Sequence, residues 1–322
     1  MKKIFYQALL IILTSCICLN STILSAEQNI HIAMLLWRGE TAAEAGFLAG
    51  LEEKGYTVKY SIFDADQNLK KLGLLLAEMS RNIDDYDYAY TFGTTVSRRT
   101  KVVVNQRIPQ IFNVVTDPVG AGIVRSMKAT GGRISGVSDA IPISLQLESI
   151  VEVMEVNKLG LFFNPREKNS MLIRRDLYEQ AKKNNIEVTD FRSPPTENAL
   201  EKNLQQLVNN PTLVDVVFLP SDSFLVSKAP LIGRKLLEGG IKSFGSSEEY
   251  IAGGVLMGIV VDYFSLGKSA AAIVDNHLNG KELQDIPVEI PSDYHLMINN
   301  QTRKLLGISL AESLQSKAIL YD

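Results

Sequence analysis

Thiols are almost absent from this chain of 322 residues: its two cysteines, Cys16 and Cys18, both fall within the first 26 positions. If that segment is cut away, no disulfide, thiolate nucleophile or cysteine metal site remains. Histidine is equally sparse, and His31, His277 and His295 lie in three separate stretches, none with a partner at helical spacing. The clustered His, Cys, Asp or Glu of a metal centre is therefore missing, and no cofactor is expected. No block of five or six basic residues occurs, and the 33 Lys plus Arg are fewer than the 36 Asp plus Glu, which argues against a nucleic-acid partner. Phosphate signatures are lacking too. Gly267-Lys268-Ser269 matches the end of a P-loop, but Asp262 stands where that motif wants its first glycine, and its charge would repel phosphate. Gly253-Gly254 leads into an apolar strand rather than a helix, against the dinucleotide fingerprint. No nucleophile elbow is found; a Ser-His-Asp triad stays open, since its members need not be adjacent.

What is present begins with an unusual first segment. Lys2 and Lys3 are followed by an apolar run over residues 4–19 and then by Leu24-Ser25-Ala26 before Glu27. A positive part, an apolar part and a small-residue cleavage site make a secretory signal peptide over residues 1–26. The apolar run is shorter than the ~20 residues that a membrane-spanning helix needs. Cleavage after Ala26 removes two lysines and no acid, so the mature chain is more acidic than the −3 of the whole. Leu13-Thr14-Ser15-Cys16 also fits a lipobox, which would leave a lipid-tethered protein beginning at Cys16. Either way the expected location is periplasmic.

From residue 30 onward, short β-branched or aromatic runs alternate with longer amphipathic stretches. That rhythm predicts βαβ units and parallel sheets. Strands are expected over 30–36, 57–63, 86–92, 110–115, 134–137, 158–163, 187–191, 214–219, 241–244 and 255–261. Helices with apolar residues three and four apart are expected over 41–54, 68–82, 95–105, 145–155, 170–184, 197–209, 224–238 and 266–278. Two groups of about five strands exceed one ordinary sheet, so the fold class is α/β with two Rossmann-like lobes. The break in rhythm at Gly136-Val137-Ser138-Asp139-Ala140-Ile141-Pro142 marks a first crossing between lobes. Further crossings near 262–266 and 280–284 divide the chain into a first lobe of 27–139 plus 263–283 and a second of 140–262 plus 284–322. Without a Pro/Gly/Ser-rich linker the crossings should form an ordered hinge.

Ligands of open parallel sheets sit at the carboxyl ends of the strands, and here those ends are rich in hydroxyls, carboxylates and amides. Gly93-Thr94-Thr95 ends a strand and opens a helix, where free N–H groups and the helix dipole would hold a carboxylate; ordinary N-capping explains the threonines equally well. Asp222 after Pro220 could cap a helix or receive an ammonium group, and Glu248 and Glu249 pose the same choice. Trp37, the single tryptophan, follows a strand at a ligand end and could stack on a ligand or fill the core. Asn164, Asn169 and Ser170 bracket another strand-to-helix loop, where capping is the alternative.

Two segments carry a family resemblance: Val115-Thr116-Asp117-Pro118-Val119-Gly120-Ala121-Gly122-Ile123-Val124, and Gly131-Gly132-Arg133-Ile134-Ser135-Gly136-Val137-Ser138-Asp139. Phe163-Asn164-Pro165 with Asn169-Ser170, Pro220-Ser221-Asp222-Ser223, and Asp262-Tyr263 with Leu266-Gly267 follow in the same order. The chain thus resembles the substrate-binding proteins of ABC importers with the type 1 periplasmic-binding fold, in the group of bacterial tryptophan- and tyrosine-binding lipoproteins. It departs from them in Leu36-Trp37-Arg38-Gly39-Glu40 after the first strand and in Phe162-Phe163, the former bearing on the ligand.

The resemblance implies a non-enzymatic, monomeric binding protein. It would capture a small organic ligand, in the first place an aromatic or other amino acid, for an ABC permease of the inner membrane. Thr94, Thr95 and Ser97 would hold an anionic group; Asp222 and Glu248 would engage an amine; Thr116, Asp117, Asn164 and Ser170 would supply hydrogen bonds; and Trp37 would offer a stacking face. A periplasmic sensor for a receptor kinase or chemoreceptor would present the same pocket. An exported hydrolase is the third reading.

Overall fold

The computed structural model describes residues 28–322. The signal-peptide and Cys16 lipobox expectations lie outside the described residues.

The first sheet is built from β1 (Gln28–Leu36), β2 (Tyr56–Asp64), β3 (Tyr88–Phe92), β4 (Gln110–Asn113) and β5 (Ile134–Gly136), in the order β2-β1-β3-β4-β5. Every pairing is parallel, with Ile32 beside both Tyr60 and Tyr88. Three helices follow its first three strands: α1 (Ala42–Glu53), α2 (Leu69–Arg81) and α3 (Thr94–Val104). Burial on both faces explains why β1 is apolar without interruption from Ile32 to Leu36. Ile30, Ile32, Met34 and Leu36 face Phe47 and Leu51 of α1 in one core cluster. Ala33 and Leu35 face Leu72, Leu76 and Met79 of α2 in another.

The second sheet has the order β12-β11-β10-β9-β8-β6-β7. Its strands are β6 (Lys158–Phe163), β7 (Glu187–Arg192), β8 (Val216–Leu219), β9 (Lys242–Gly245), β10 (Met257–Val260), β11 (His295–Asn299) and β12 (Ile319–Tyr321). β11 runs antiparallel to β10, and all other neighbours are parallel. Its helices are α4 (Ile143–Val153), α5 (Lys168–Lys183), α6 (Glu197–Asn209), α7 (Ser223–Ser227), α8 (Ala229–Glu238) and α9 (Glu248–Ala252), with α11 (Asn300–Leu305) and α12 (Glu312–Gln315) near the end of the chain.

Between β10 and β11 the chain returns to the first sheet through α10 (Tyr263–Leu278). α10 lies on α1 at backbone distance because both helices offer glycine at the contact. A Cβ on Gly46 would fall 2.0 Å from the Phe264 carbonyl oxygen, and one on Gly267 would fall 2.1 Å from that of Ala43, so neither position has room for a side chain. The segment after α10 stays with the first sheet: Thr130 N–H donates to Gln284 O, Glu289 N–H to Gly136 O and Ser138 N–H to Glu289 O.

All ten expected strands are present within a few residues. The expected helix over 224–238 is divided into α7 and α8, with Lys228 between them and Pro230 in the first turn of α8, where a missing N–H does no harm. β11 and β12 complete the second sheet beyond expectation. Among the described residues no helix is long and apolar enough to cross a membrane.

Candidate functional site

The carboxyl ends of the two sheets face one another, and loops from both meet there. On the first side Trp37 follows β1 and is buried. Its indole Nε1–H donates across the cleft to Glu167 Oε1 at 3.2 Å. Next to it, Arg38 donates to Glu249 Oε1 of α9 at 2.8 Å, and its guanidinium lies 5.6 Å from the centre of the Phe92 ring. Gly93, at φ 85°, turns the chain from β3 into α3 and is its N-cap without any capping side chain. The first turn of α3 therefore presents main-chain N–H groups to the cleft. Beneath it lies a buried relay: Tyr90 Oη–H donates to Glu44 Oε1 at 2.9 Å, Asn113 Nδ2–H to Tyr90 Oη at 3.1 Å, and the Val114 N–H to Asn113 Oδ1 at 2.9 Å. Val114 has φ 54°, a conformation that costs a β-branched residue about 1–3 kcal/mol and clusters at functional sites. The relay holds it there, on the cleft wall.

The opposite side is acidic. Asp222 caps α7, accepting the Leu225 N–H on Oδ1 at 2.9 Å, while its buried Oδ2 makes no hydrogen bond of normal geometry among the described residues, with the Ser170 hydroxyl and the Glu167 carboxyl beside the group. Glu167, just ahead of α5, accepts the Ser223 N–H on Oε2 at 3.0 Å. Burial, and then the charge of neighbouring Glu167, push the Asp222 carboxyl well above the usual carboxylate range. Burial also raises Glu167, against the lowering effect of the Ser223 N–H and the Trp37 indole. Two buried carboxyls side by side cannot both ionise without a counter-cation. The direction of both shifts favours a proton shared by the pair until a cation meets it.

Three cavities line up along this cleft. The central one, narrow at about 20 Å³, is bounded by Trp37, Thr94, Thr95, Glu167 and Asp222, among others. Toward the crossings lies a second of about 240 Å³, with Thr116, Asp117, Asp139 and Ser246 beside an apolar wall. Ser221 borders both, and its hydroxyl donates to Asp139 Oδ2 at 3.1 Å. A third, of about 460 Å³, shares Arg38 with the central one and holds Glu248 and Glu249.

The expected site residues are thus distributed. Trp37, Thr94, Thr95 and Asp222 meet in the central cavity; Thr116 and Asp117 line the second; Glu248 is exposed at the third, away from Asp222. Ser97, Asn164 and Ser170 are buried outside all three linings. Ser97 Oγ–H donates to Gly93 O at 2.8 Å, bracing the start of α3. Asn164 N–H donates to Ser170 Oγ at 2.9 Å, and Asn164 Oδ1 accepts the Arg166 N–H at 3.0 Å, bracing the loop that carries Glu167. Sequence reasoning missed Glu167, Arg38, Asp139 and Ser221. Glu167 shares the loop of Asn164-Pro165, and Asp139 ends a strand, so their positions were readable; their burial was not. Among the described residues no group of three or more His, Cys, Asp or Glu is placed to hold a metal ion.

Comparison with known proteins identifies this arrangement. The family model described as "ABC transporter substrate binding protein" matches residues 32–320. The chain belongs to that family. The substrate-binding protein is 30% identical over 302 residues to a curated "Tyrosine-binding protein" of Clostridioides difficile strain R20291, covering 92% of this chain and 86% of the relative. Among solved structures it is similar to an ABC domain in complex with L-Trp from Streptococcus pneumoniae, at TM-score 0.84 and 24% identity over 91% of this chain and 99% of that one. A conserved domain protein from Vibrio cholerae gives TM-score 0.83 at 23% identity, with the same coverage of each chain. A ligand-free, open substrate-binding protein with adhesive properties from Clostridium difficile gives 0.70 at 22%, again over 91% and 99%. The two α/β lobes are those of the type 1 periplasmic-binding fold, and this substrate-binding protein resembles the tryptophan- and tyrosine-binding members.

Proposed function

We propose that this substrate-binding protein captures a zwitterionic amino acid, with an aromatic side chain, between its lobes and delivers it to the permease of an importer. The observation that carries the reading is the buried pair of carboxyls, Asp222 and Glu167, on the central cavity opposite the uncapped N-terminus of α3. An α-ammonium group at Asp222 and Glu167 would replace the shared proton, and an α-carboxylate would meet the N–H groups at Thr94 and Thr95. The tyrosine-binding relative supports the choice of an aromatic ligand.

Residues 27–139 with 263–283 form one lobe in this reading and 140–262 with 284–322 the other, with the strip beside β5 extending the first lobe's edge. Trp37 to Glu167 and Arg38 to Glu249 join the lobes only when the cleft is shut. Ligand contacts to both sides would therefore shift the hinge equilibrium toward closure by their differential affinity. The protein works outside the cytoplasm as a monomer, exported by the leader over residues 1–26.

The test is the thermal midpoint of the purified protein against a panel of amino acids, sugars and nucleosides. An aromatic amino acid should raise the midpoint as its concentration passes Kd, and the shift should vanish in Asp222→Ala. A sugar or nucleoside shifting the midpoint, with every amino acid silent, would overturn the reading.

A further inference from the structure

The cavity toward the crossings has a feature that the reading above leaves unused. Its apolar walls are Ile141, Ile143, Leu172 and Ile173 with the ring of Tyr294, and Asp117, Asp176 and Gln146 stand among the polar residues around them. Into this lining is set Asp139, a carboxylate only 6% exposed. One of its oxygens, Oδ2, accepts from Ser221 Oγ at 3.1 Å; the other, Oδ1, is buried and makes no hydrogen bond of normal geometry among the described residues, although the Thr116 hydroxyl stands near the carboxyl. Burial raises the Asp139 carboxyl, with the Thr116 and Ser221 hydroxyls working the other way. A buried acceptor left without a donor is costly, and such an atom in a native fold calls for an explanation.

The position of Asp139 supplies one. Ser221 lies on the border between the central and second cavities, so a ligand whose ammonium meets Asp222 would extend past Ser221 into the apolar space. Its side chain would lie there, with Asp139 as the buried carboxylate of a wall whose other two, Asp117 and Asp176, are partly exposed. Phenylalanine would fill such a space and leave Oδ1 unpaired. Tyrosine, with its phenol O–H, and tryptophan, with its indole N–H, each carry a donor at the far edge of the ring.

We propose that Asp139 is a specificity-determining residue that reads a hydrogen-bond donor on the ring of the ligand. This rests on the amino-acid reading and adds to it a requirement that burial of the ring does not impose. A site built around an acceptor rejects a ligand lacking the donor far more strongly than an apolar pocket rejects one lacking a methylene.

Isothermal titration of the purified protein with two ligand pairs tests this. L-tyrosine is compared with L-phenylalanine, and L-tryptophan with L-3-benzothienylalanine, in which sulfur replaces the indole N–H. The donor-bearing member of each pair should bind at least about tenfold more tightly. Asp139→Asn keeps an oxygen for the Ser221 hydroxyl and turns an N–H₂ toward the cavity, so the tryptophan ratio should fall below about threefold or invert. A change in folding or closure alone would weaken both members of a pair together and leave the ratio intact. Equal binding within both wild-type pairs overturns the inference while leaving the amino-acid reading standing. So does a tryptophan ratio unchanged by Asp139→Asn. If none of the four ligands binds, the aromatic reading itself fails and the role of Asp139 falls with it. Should Asp139→Asn not fold, Asp139→Ser, which removes the carboxylate and keeps a partner for Ser221, carries the same comparison, and an unchanged ratio there overturns the inference.

Discussion

The two walls of the cleft achieve opposite electrostatic characters by different means. On the first-sheet side, the field at Thr94 and Thr95 comes from main-chain N–H groups fixed by Gly93 and the length of α3. It carries no proton and changes little with pH or with the side chains around it. The second-sheet side depends on two buried carboxyls, Asp222 and Glu167, which must either share a proton or find a cation. A backbone site is robust and unselective, whereas a paired-carboxylate site is selective at a cost in stability. The difference teaches that discrimination should be concentrated on the acidic wall.

Substitutions can break that contrast. Asp222→Asn removes one of the two carboxyls proposed to take the ammonium and should weaken amino-acid binding by about a hundredfold or more, read by calorimetry. The same change relieves two crowded carboxyls, so the thermal midpoint of the unliganded protein should hold or rise. A fall in both quantities would mean that Asp222 serves as a helix cap alone.

The next effect is on pH, and its sign follows from the direction of the shifts. Asp222 and Glu167 are raised in the folded protein above their unfolded values. The empty protein therefore holds protons that the unfolded chain has already released. Its stability falls as pH climbs from the ordinary carboxylate range toward the raised values. Binding should run the other way, because an ammonium displaces the shared proton. Affinity should weaken about tenfold per pH unit on acidification below the raised value, and heats measured in phosphate and Tris buffers should differ by one released proton. The smallest effect belongs to the opposite wall. Thr95→Ala leaves the N–H groups of α3 in place and should alter affinity by less than about threefold in the same titration. A larger loss would transfer the discriminating role to the threonine side chain.

Much of this architecture was legible in the chain because parallel strands are buried on both faces and read as uninterrupted apolar runs. β1 and β6 are plain examples, as is the change to helical spacing after each. β12 escaped notice because it has only three residues, two of them exposed, and so lacks an apolar period. Trp37, Thr94, Thr95 and Asp222 were within reach through the rule that ligands gather at the carboxyl ends of strands. Arg38 and Glu167 were not, since a charged residue on a loop ordinarily points to water. They are buried only where loops of two distant sheets close on each other. Ser97, Asn164 and Ser170 show the converse: polar residues in the right loops whose bonds are made inside the loop.

The glycine contact between α1 and α10 has a further consequence in time. The surface that α1 offers through Gly46 is covered only when residues after Tyr263 arrive, and the edge of β5 only when those near Glu289 do. A chain emerging amino-terminus first cannot complete its leading lobe until most of the molecule has followed. Non-local closure of this kind slows folding. Under the export proposed above, that delay would keep the nascent chain open for passage.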